Sequence, residues 1–338
     1  MKFTVLLAIL SAFCATTAHA IDLPDVPTPY ALLQVQGVAL AEQGAAGSRG
    51  DRAELRDFTM RRMRVGVRGV LGTSWRYHIM TDLARSDMLY EAWVRWEPSK
   101  YFAVTTGNYM VQFGRSQIFY PGEASLPEFA YGSRAMTPFR QSGVQLSGAL
   151  PGGLRWWAGA FSAPQRAGTF WQGYREDAGT GTAKIDGLGT AVRVQYEPFA
   201  PVGDLSPHDL AGGPLRLLVA ADYMHLDGTQ FHTDAWSASI HAKAYGAHLL
   251  GEVIHDIALT ERQAVYGELG YTLNSYVIAA RYEFIQPNTA DKALNEQVYS
   301  AALGMSANKY VRLRAQWDRR ITSTFQYSVG FGLISLCL

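Results

Sequence analysis

Between Phe58 and Phe113 the chain reads FTMRRMRVGVRGVLGTSWRYHIMTDLARSDMLYEAWVRWEPSKYFAVTTGNYMVQF. This stretch divides into four segments of about ten residues, the length at which a tilted strand crosses a membrane. In the first, Met63, Val65 and Val67 alternate with Arg62, Arg64, Gly66 and Arg68. In the second, Tyr77 and Ile79 alternate with Arg76, His78 and Met80. In the third, Tyr90, Ala92, Val94 and Trp96 alternate with Glu91, Trp93, Arg95 and Glu97. Successive side chains on a strand point to opposite faces, so each segment has one apolar face and one polar, often charged, face. Half-buried strands of a soluble sandwich alternate too. Two features separate this chain from them. The polar face is rich in arginines and carboxylates, and aromatic residues gather at the segment ends. Trp75 and Tyr77 follow the turn Leu71–Ser74, and Trp96, Tyr101 and Phe102 bracket the turn Pro98–Lys100. Aromatics on both sides of a short turn mark a membrane interface. The expected fold is all-β: a transmembrane, antiparallel, up-and-down barrel.

The N-terminus fits export. Met1-Lys2 is a short basic start, Val5 to Phe13 is mostly apolar, and Ala18-His19-Ala20 is an A-x-A site. Residues 1–20 therefore read as a signal peptide, with 21–338 as a single barrel. No stretch approaches the apolar length of a membrane-spanning helix. Only Cys337 remains after cleavage, so no intramolecular disulfide and no cysteine metal site is expected. Formal charge is +1 for the whole chain and about zero once Lys2 is removed. Arginine outnumbers lysine by about four to one. Guanidinium groups suit fixed carboxylate and phosphate contacts better than ammonium groups do, although codon bias produces the same skew.

Along the chain, Ile21–Pro29 has too many prolines for a sheet interior and reads as a periplasmic lead-in. Tyr30–Leu40 is a strand and Ala41–Asp57 an outer loop. After the four segments comes Gly114–Arg140, too long and aromatic for a hairpin turn; a loop of this kind is expected to be functional and to fold into the barrel. Strands Gln141–Leu150 and Leu154–Phe161 flank Pro151-Gly152-Gly153. Ser162–Asp186 is a second long outer loop, Leu188–Pro198 a strand, and Phe199–Gly213 an unusually long connection on the inner side. Leu215–Leu226 follows, then strands Ala235–Ala242, Tyr245–Ile257, Gln263–Thr272, Ser275–Ile285, Gln297–Ser306, Tyr310–Arg319 and Phe325–Leu336. Short and long connections alternate, as periplasmic turns and outer loops do. The count is sixteen strands; one merged or missed segment makes it fourteen or eighteen. An even number lets the first and last strands pair, and sixteen leave a water-filled lumen.

The stretch RRMRVGVRGVLGTSWRYHIMTDLA, followed by LYEAWVRWEP and then FAVTTGNYMVQFG, resembles the phosphate-selective porin O and P family. That family opens with a double-arginine strand, an Ala-aromatic strand and a Gly-aromatic-x-x-x-Phe strand in this order. The local match covers about Phe58 to Leu150. The resemblance implies a homotrimeric channel of the Gram-negative outer membrane, reached through the periplasm, that prefers anions. It also implies arginines along the pore, with lysines and inward loops at the constriction. The family's usual lysine and proline positions read Met110 and Gln112 here. Outer-membrane barrels usually finish on an aromatic residue, whereas Gly332–Leu338 continues past Phe331 and ends in leucine.

The strand phase predicts inward arginines at Arg62, Arg64, Arg68, Arg76, Arg95, Arg155, Arg193, Arg216, Arg281, Arg312 and Arg314. Fixed cations lower the barrier for an anion leaving bulk water. Arg115, Arg134 and Arg140 in the long loop are further candidates for the constriction. The opposing reading pairs these arginines with inward acids: Asp82, Glu91, Glu97, Glu197, Asp222, Glu252, Glu268, Glu283 and Asp318. His225, His232, His241, His248 and His255 cluster in sequence, but without metal-ligand spacing; they read as polar lumen residues. No Gly-x-Ser-x-Gly or His-Glu-x-x-His motif is present, so no enzyme and no cofactor is expected. No basic domain points to nucleic acid. The expected partners are outer-membrane lipid and lipopolysaccharide, small anionic solutes such as phosphate, and further copies of the chain. The competing reading is a barrel that acts through its outer loops as a binding or surface-interaction protein.

Overall fold

The computed structural model describes residues 26–40, 56–84, 89–162, 187–203, 206–209, 212–228, 232–257, 260–308, 310–322 and 326–337. The signal peptide expected at 1–20 and most of the outer loops expected at Ala41–Asp57 and Ser162–Asp186 lie outside the described residues; Arg56, Asp57 and Ser162 belong to strands. Sixteen antiparallel strands form one closed barrel, each paired with its neighbour in sequence. They are β1 (Thr28–Leu40), β2 (Arg56–Leu71), β3 (Trp75–Asp82), β4 (Leu89–Ser99), β5 (Phe102–Met110), β6 (Arg140–Leu150), β7 (Leu154–Ser162) and β8 (Gly187–Tyr196). The second half comprises β9 (Arg216–Gly228), β10 (His232–Ala244), β11 (Ala247–Ile257), β12 (Glu261–Leu273), β13 (Tyr276–Gln286), β14 (Glu296–Ser306), β15 (Val311–Ile321) and β16 (Gln326–Cys337). Two short helices, α1 (Arg115–Ile118) and α2 (Tyr131–Met136), lie between β5 and β6.

Closure explains two departures from the expected ends. β16 runs through Gly332 to Cys337, so most of the non-aromatic tail is strand, with Leu32 opposite Cys337 and Gly37 opposite Gly332. At the other end β1 begins at Thr28, and Pro29 lies opposite Val67. A proline is tolerated there because it sits at the start of the strand. The tail and the first strand complete each other's hydrogen-bond ladders and leave no sheet edge.

The outer face carries the apolar set. Trp75, Val94, Trp96, Leu146, Val192, Tyr223, Trp236, Leu269 and Ile278 are all exposed, as lipid-facing residues of a barrel are. Glycines mark places where another group fills the space. Gly107 has φ 119°, and a Cβ there would sit 2.1 Å from the Ala92 carbonyl oxygen. Only glycine lets β5 approach β4 this closely.

Among the described strands the register shifts three times, once beside the β4–β5 turn between Trp96 and Ser99 and twice where it matters for the lumen. Against β1 the register of β2 shifts by one residue, so that Gln34 faces Arg62 while Val35 faces Met60. Arg61 is the extra residue, and Arg61 and Arg62 are both buried. Against β3 the register of β4 shifts so that Met80 faces Glu91 and Thr81 faces Leu89. Here Tyr90 is the extra residue, and it is buried together with Glu91. A β-bulge sets two residues against one and re-aims a side chain. Tyr90, expected on the lipid face, therefore turns inward.

The inner wall is not polar throughout. Phe161, Met224, Leu226, Ala235, Ile254, Ala264 and Ile285 all face the lumen. Val111, Phe113, Ala135 and Met136, from the connection between β5 and β6, pack against them. A water-filled half-lumen would leave this apolar surface wet; the loop removes it from water.

Candidate functional site

The connection between β5 and β6 spans residues 111–139, since β5 ends at Met110 and Arg140 already begins β6. Its root is held by acids of the far wall. The Gly114 amide donates to Asp222 at 3.0 Å, and the Arg115 amide donates to Glu252. Ser133 Oγ donates to the same Glu252 at 2.7 Å. Asp222 is paired with Arg193 at 2.8 Å. The loop tip crosses to β1, β2 and β15. Glu128, 1% exposed, accepts from Arg61 at 2.6 Å, from Gln36 at 3.0 Å and from Arg134 at 3.5 Å. Its amide donates to Gln316 at 2.9 Å.

This loop uses several of the arginines singled out in the sequence. Arg312 and Arg314 both donate to the Gly122 carbonyl, and Arg312 also pairs with Glu123 at 2.6 Å. Arg281 donates to the carbonyls of Glu128 and Phe129 at 3.0 and 3.2 Å. Arg115 is fully buried and stacks 4.9 Å from the Phe119 ring. Arg134 shares Glu128 with Arg61. These groups satisfy loop carbonyls and carboxylates.

A second group surrounds the two bulges. Arg64 pairs with Asp82 at 3.2 Å and donates to the Tyr90 hydroxyl at 2.7 Å. Arg140 pairs with Glu91 at 2.5 Å and donates to the same hydroxyl at 3.0 Å. Both guanidiniums also stack on the Tyr90 ring, 4.2 and 4.0 Å from its centroid. One tyrosine thus holds two like charges side by side. Arg62 donates to the Gln34 amide oxygen at 2.6 Å and makes no ion pair among the described residues. The sequence did carry a signal for Arg61: two consecutive arginines cannot both face one side of a regular strand. For Tyr90 no local signal exists.

Tyr90→Phe keeps the ring and removes the shared acceptor. We expect a loss of about 1–2 kcal/mol, read as a lower thermal midpoint of the detergent-solubilised barrel. An unchanged midpoint would show that the hydroxyl does not hold the pair.

A third group lies toward the short-turn end of β2–β4 and β7. Arg68 is exposed, 5.8 Å from the Tyr30 ring, and makes no ion pair among the described residues. Arg76, with 59% of its side chain exposed, and Arg95, with 28%, lie directly opposite one another and share Glu97 at 3.1 and 3.3 Å. Arg155 lies 3.7 Å from Glu197 and 5.0 Å from the Trp157 ring. Trp157 itself is buried and inward, not part of the interface girdle.

The clustered histidines divide. His241 and His248 are buried on the inner face. His255 stacks on the exposed, outward Trp236, and His225 pairs with the exposed Asp234 at 2.9 Å, so these two are not lumen residues. His232 is exposed and pairs with Asp227 at 2.9 Å. An eighth histidine was not foreseen as buried: His208, in the connection between β8 and β9, is 5% exposed. Burial, the neighbouring Arg314, Arg312 and Lys243, and His248 push its pKa down to about 2. The facing carboxylate is Glu123, 3.9 Å away. A histidine with a depressed folded-state pKa stabilises the folded form above its unfolded value, roughly 6.5, and loses that contribution as pH falls below it. The amides of residues 199–213 should therefore exchange faster, relative to their intrinsic rates, at pH 5 than at pH 7.5. His208→Asn should remove the difference; equal protection at both pH values would refute it.

Chemically, the described lumen offers fixed cations in two states. Those of the loop and bulge groups are buried against acceptors, and those near the short-turn end face water. Among the described residues no group of His, Cys, Asp and Glu is arranged to hold a metal ion.

The structure resembles several solved porins. The anion-selective porin from Comamonas acidovorans superposes with a TM-score of 0.62 at 11% identity, over 93% of this chain and 100% of that one. OprB from Pseudomonas putida gives 0.65 at 10% identity, over 96% and 97%. OmpF from Salmonella typhi, in complex with daunomycin, gives 0.64 at 12% identity, over 94% and 99%. At such identities the likeness establishes the fold. No curated protein sequence matches the chain. The family model for phosphate-selective porin O and P matches residues 37–248, which include the double-arginine strand, the loop root and the whole Arg64–Tyr90–Arg140 group. The chain belongs to the phosphate-selective porin O and P family, and it is a channel-forming barrel of the Gram-negative outer membrane.

Proposed function

We propose that the channel passes small solutes by diffusion with a preference for anions, phosphate among them, and that it works as a homotrimer. The observation that carries the anion preference is the charge balance of the water-facing group. Among the described residues, Arg68, Arg76 and Arg95 have one close carboxylate between them, Glu97. Solvent-facing fixed cations raise the local anion concentration and ease partial dehydration. The anion-selective porin among the structural relatives supports the same reading. Phosphate rests on the family alone, because the positions where the resemblance expects lysine and proline hold Met110 and Gln112. Arg62, Arg64 and Arg140, packed against their acceptors, then act on solutes only through the field of the inner wall, and Arg115, Arg134, Arg312 and Arg314 act by holding the loop.

The test is the reversal potential of the purified protein in a planar bilayer under a salt gradient. Chloride selectivity that weakens when phosphate is added supports the proposal. Cation selectivity refutes the anion preference. Absence of conductance from folded barrels refutes the channel and favours a protein that acts through its outer loops. Chemical cross-linking in detergent reads the trimer.

A further inference from the structure

The connection from β8 to β9 lies on the short-turn side, where β2–β3 and β10–β11 are joined by two or three residues. It takes 19 residues, 197 to 215, and its described residues reach inward side chains of the wall. The Val202 amide donates to Glu197 at 2.7 Å, and its side chain packs on the inward Leu218 and Ala220. Lys243 Nζ donates to the carbonyls of Val202 and Ser206 at 2.9 and 2.7 Å. His241 Nε2 donates to the Pro207 carbonyl at 2.8 Å. On the way back Asp209 pairs with Arg216 and accepts from the Gly246 amide at 2.9 Å.

The segment also meets the outer loop inside the lumen. Arg115 Nη2 donates to the Gly203 carbonyl at 2.8 Å and lies 3.1 Å from His241 Nδ1. A connection at the rim leaves its carbonyls to water. Here they are taken by two cations, Lys243 at 5% and Arg115 at 0% exposure. A buried cation is tolerated only where acceptors surround it, and these carbonyls are among the acceptors of both cations.

We propose that the described residues of this connection, Val202–Gly203 and Ser206–Asp209, form a second constriction, entering from the periplasmic side and clamped to the wall by Lys243 and to the outer loop by Arg115. Together the two segments narrow the lumen beside β8–β11, and the size limit for solutes depends on both. The proposal rests on the channel reading above.

Two variants of the full chain in planar bilayers test it. Lys243→Met keeps the aliphatic stem and removes the clamp. Its single-channel conductance should rise about twofold, and larger neutral polyethylene glycols should enter; Lys243→Arg, which keeps the donors, should behave as wild type. The second variant is Ser206→Cys with Cys337→Ser, treated from the periplasmic side with a charged thiol reagent. Its conductance should fall on modification. If Lys243→Met barrels conduct and exclude polymers as wild type does, or if modified Ser206→Cys conducts unchanged, the second constriction is overturned while the channel stands. If the folded wild type does not conduct, the channel reading fails and takes this proposal with it.

Discussion

Replacing Arg68, Arg76 and Arg95 together by glutamate converts the channel from anion to cation selectivity. The three side chains face the lumen from adjacent strands, and Arg76 and Arg95 are direct cross-strand neighbours. Like charges opposite one another repel; here Glu97 lies within ion-pair distance of both. In the variant three arginines against one carboxylate become four carboxylates with no facing cation among these positions. The groups are hydrated, so each one acts mainly through the local ion concentration. We expect the anion-to-cation permeability ratio to fall by about tenfold or more at 0.1 M salt and by much less at 1 M, where the screening length shrinks to roughly 3 Å. A reversal potential of unchanged sign at low salt would show that selectivity is set elsewhere, with the Arg64–Tyr90–Arg140 group the next to alter.

Glu128→Ala frees the outer loop. This carboxylate is the meeting point of β1, β2 and the loop itself, through Gln36, Arg61 and Arg134. Breaking a buried pair by removing one partner typically costs about 3–5 kcal/mol, because the opposite charge stays behind in a dry site. The barrel has sixteen paired strands and does not depend on this contact for closure. The cost therefore falls on the docked position of the loop. Conductance should rise and become noisy, and anion preference should strengthen as arginine charge is released into the lumen. Glu128→Gln, which keeps an acceptor but not the charge, should lie between the two. Steady wild-type conductance from Glu128→Ala would show that Arg281, Arg312 and Arg314 hold the tip without it.

The outline of the fold was legible because its signal is local. A strand's faces repeat every two residues, so ten residues suffice to find a strand and its phase. The strand count, the alternation of short and long connections, and the inward phase of Arg62, Arg64, Arg76, Arg193 and Arg312 all follow from windows of that size. The unexpected length of residues 199–213 was visible too. The two bulges were less so. A pattern of period two carries no mark of a skipped residue unless two charges fall together, as at Arg61-Arg62; at Tyr90 nothing local betrays it. In β9, apolar residues fall on both faces, as at Leu217 and Leu218, yet alternation alone points to a water-filled lumen.

Which arginines meet solute was beyond the sequence. Arg314 and Arg68 occupy equivalent positions in the alternation, yet Arg314 ends on the carbonyl of Gly122, 192 residues earlier in the chain, while Arg68 remains in water. Alternation determines that both point inward. Only the path of two loops through the lumen decides which charge is neutralised, because an ion's worth to a passing solute depends on the acceptors and water around it, and those arrive from distant parts of the chain.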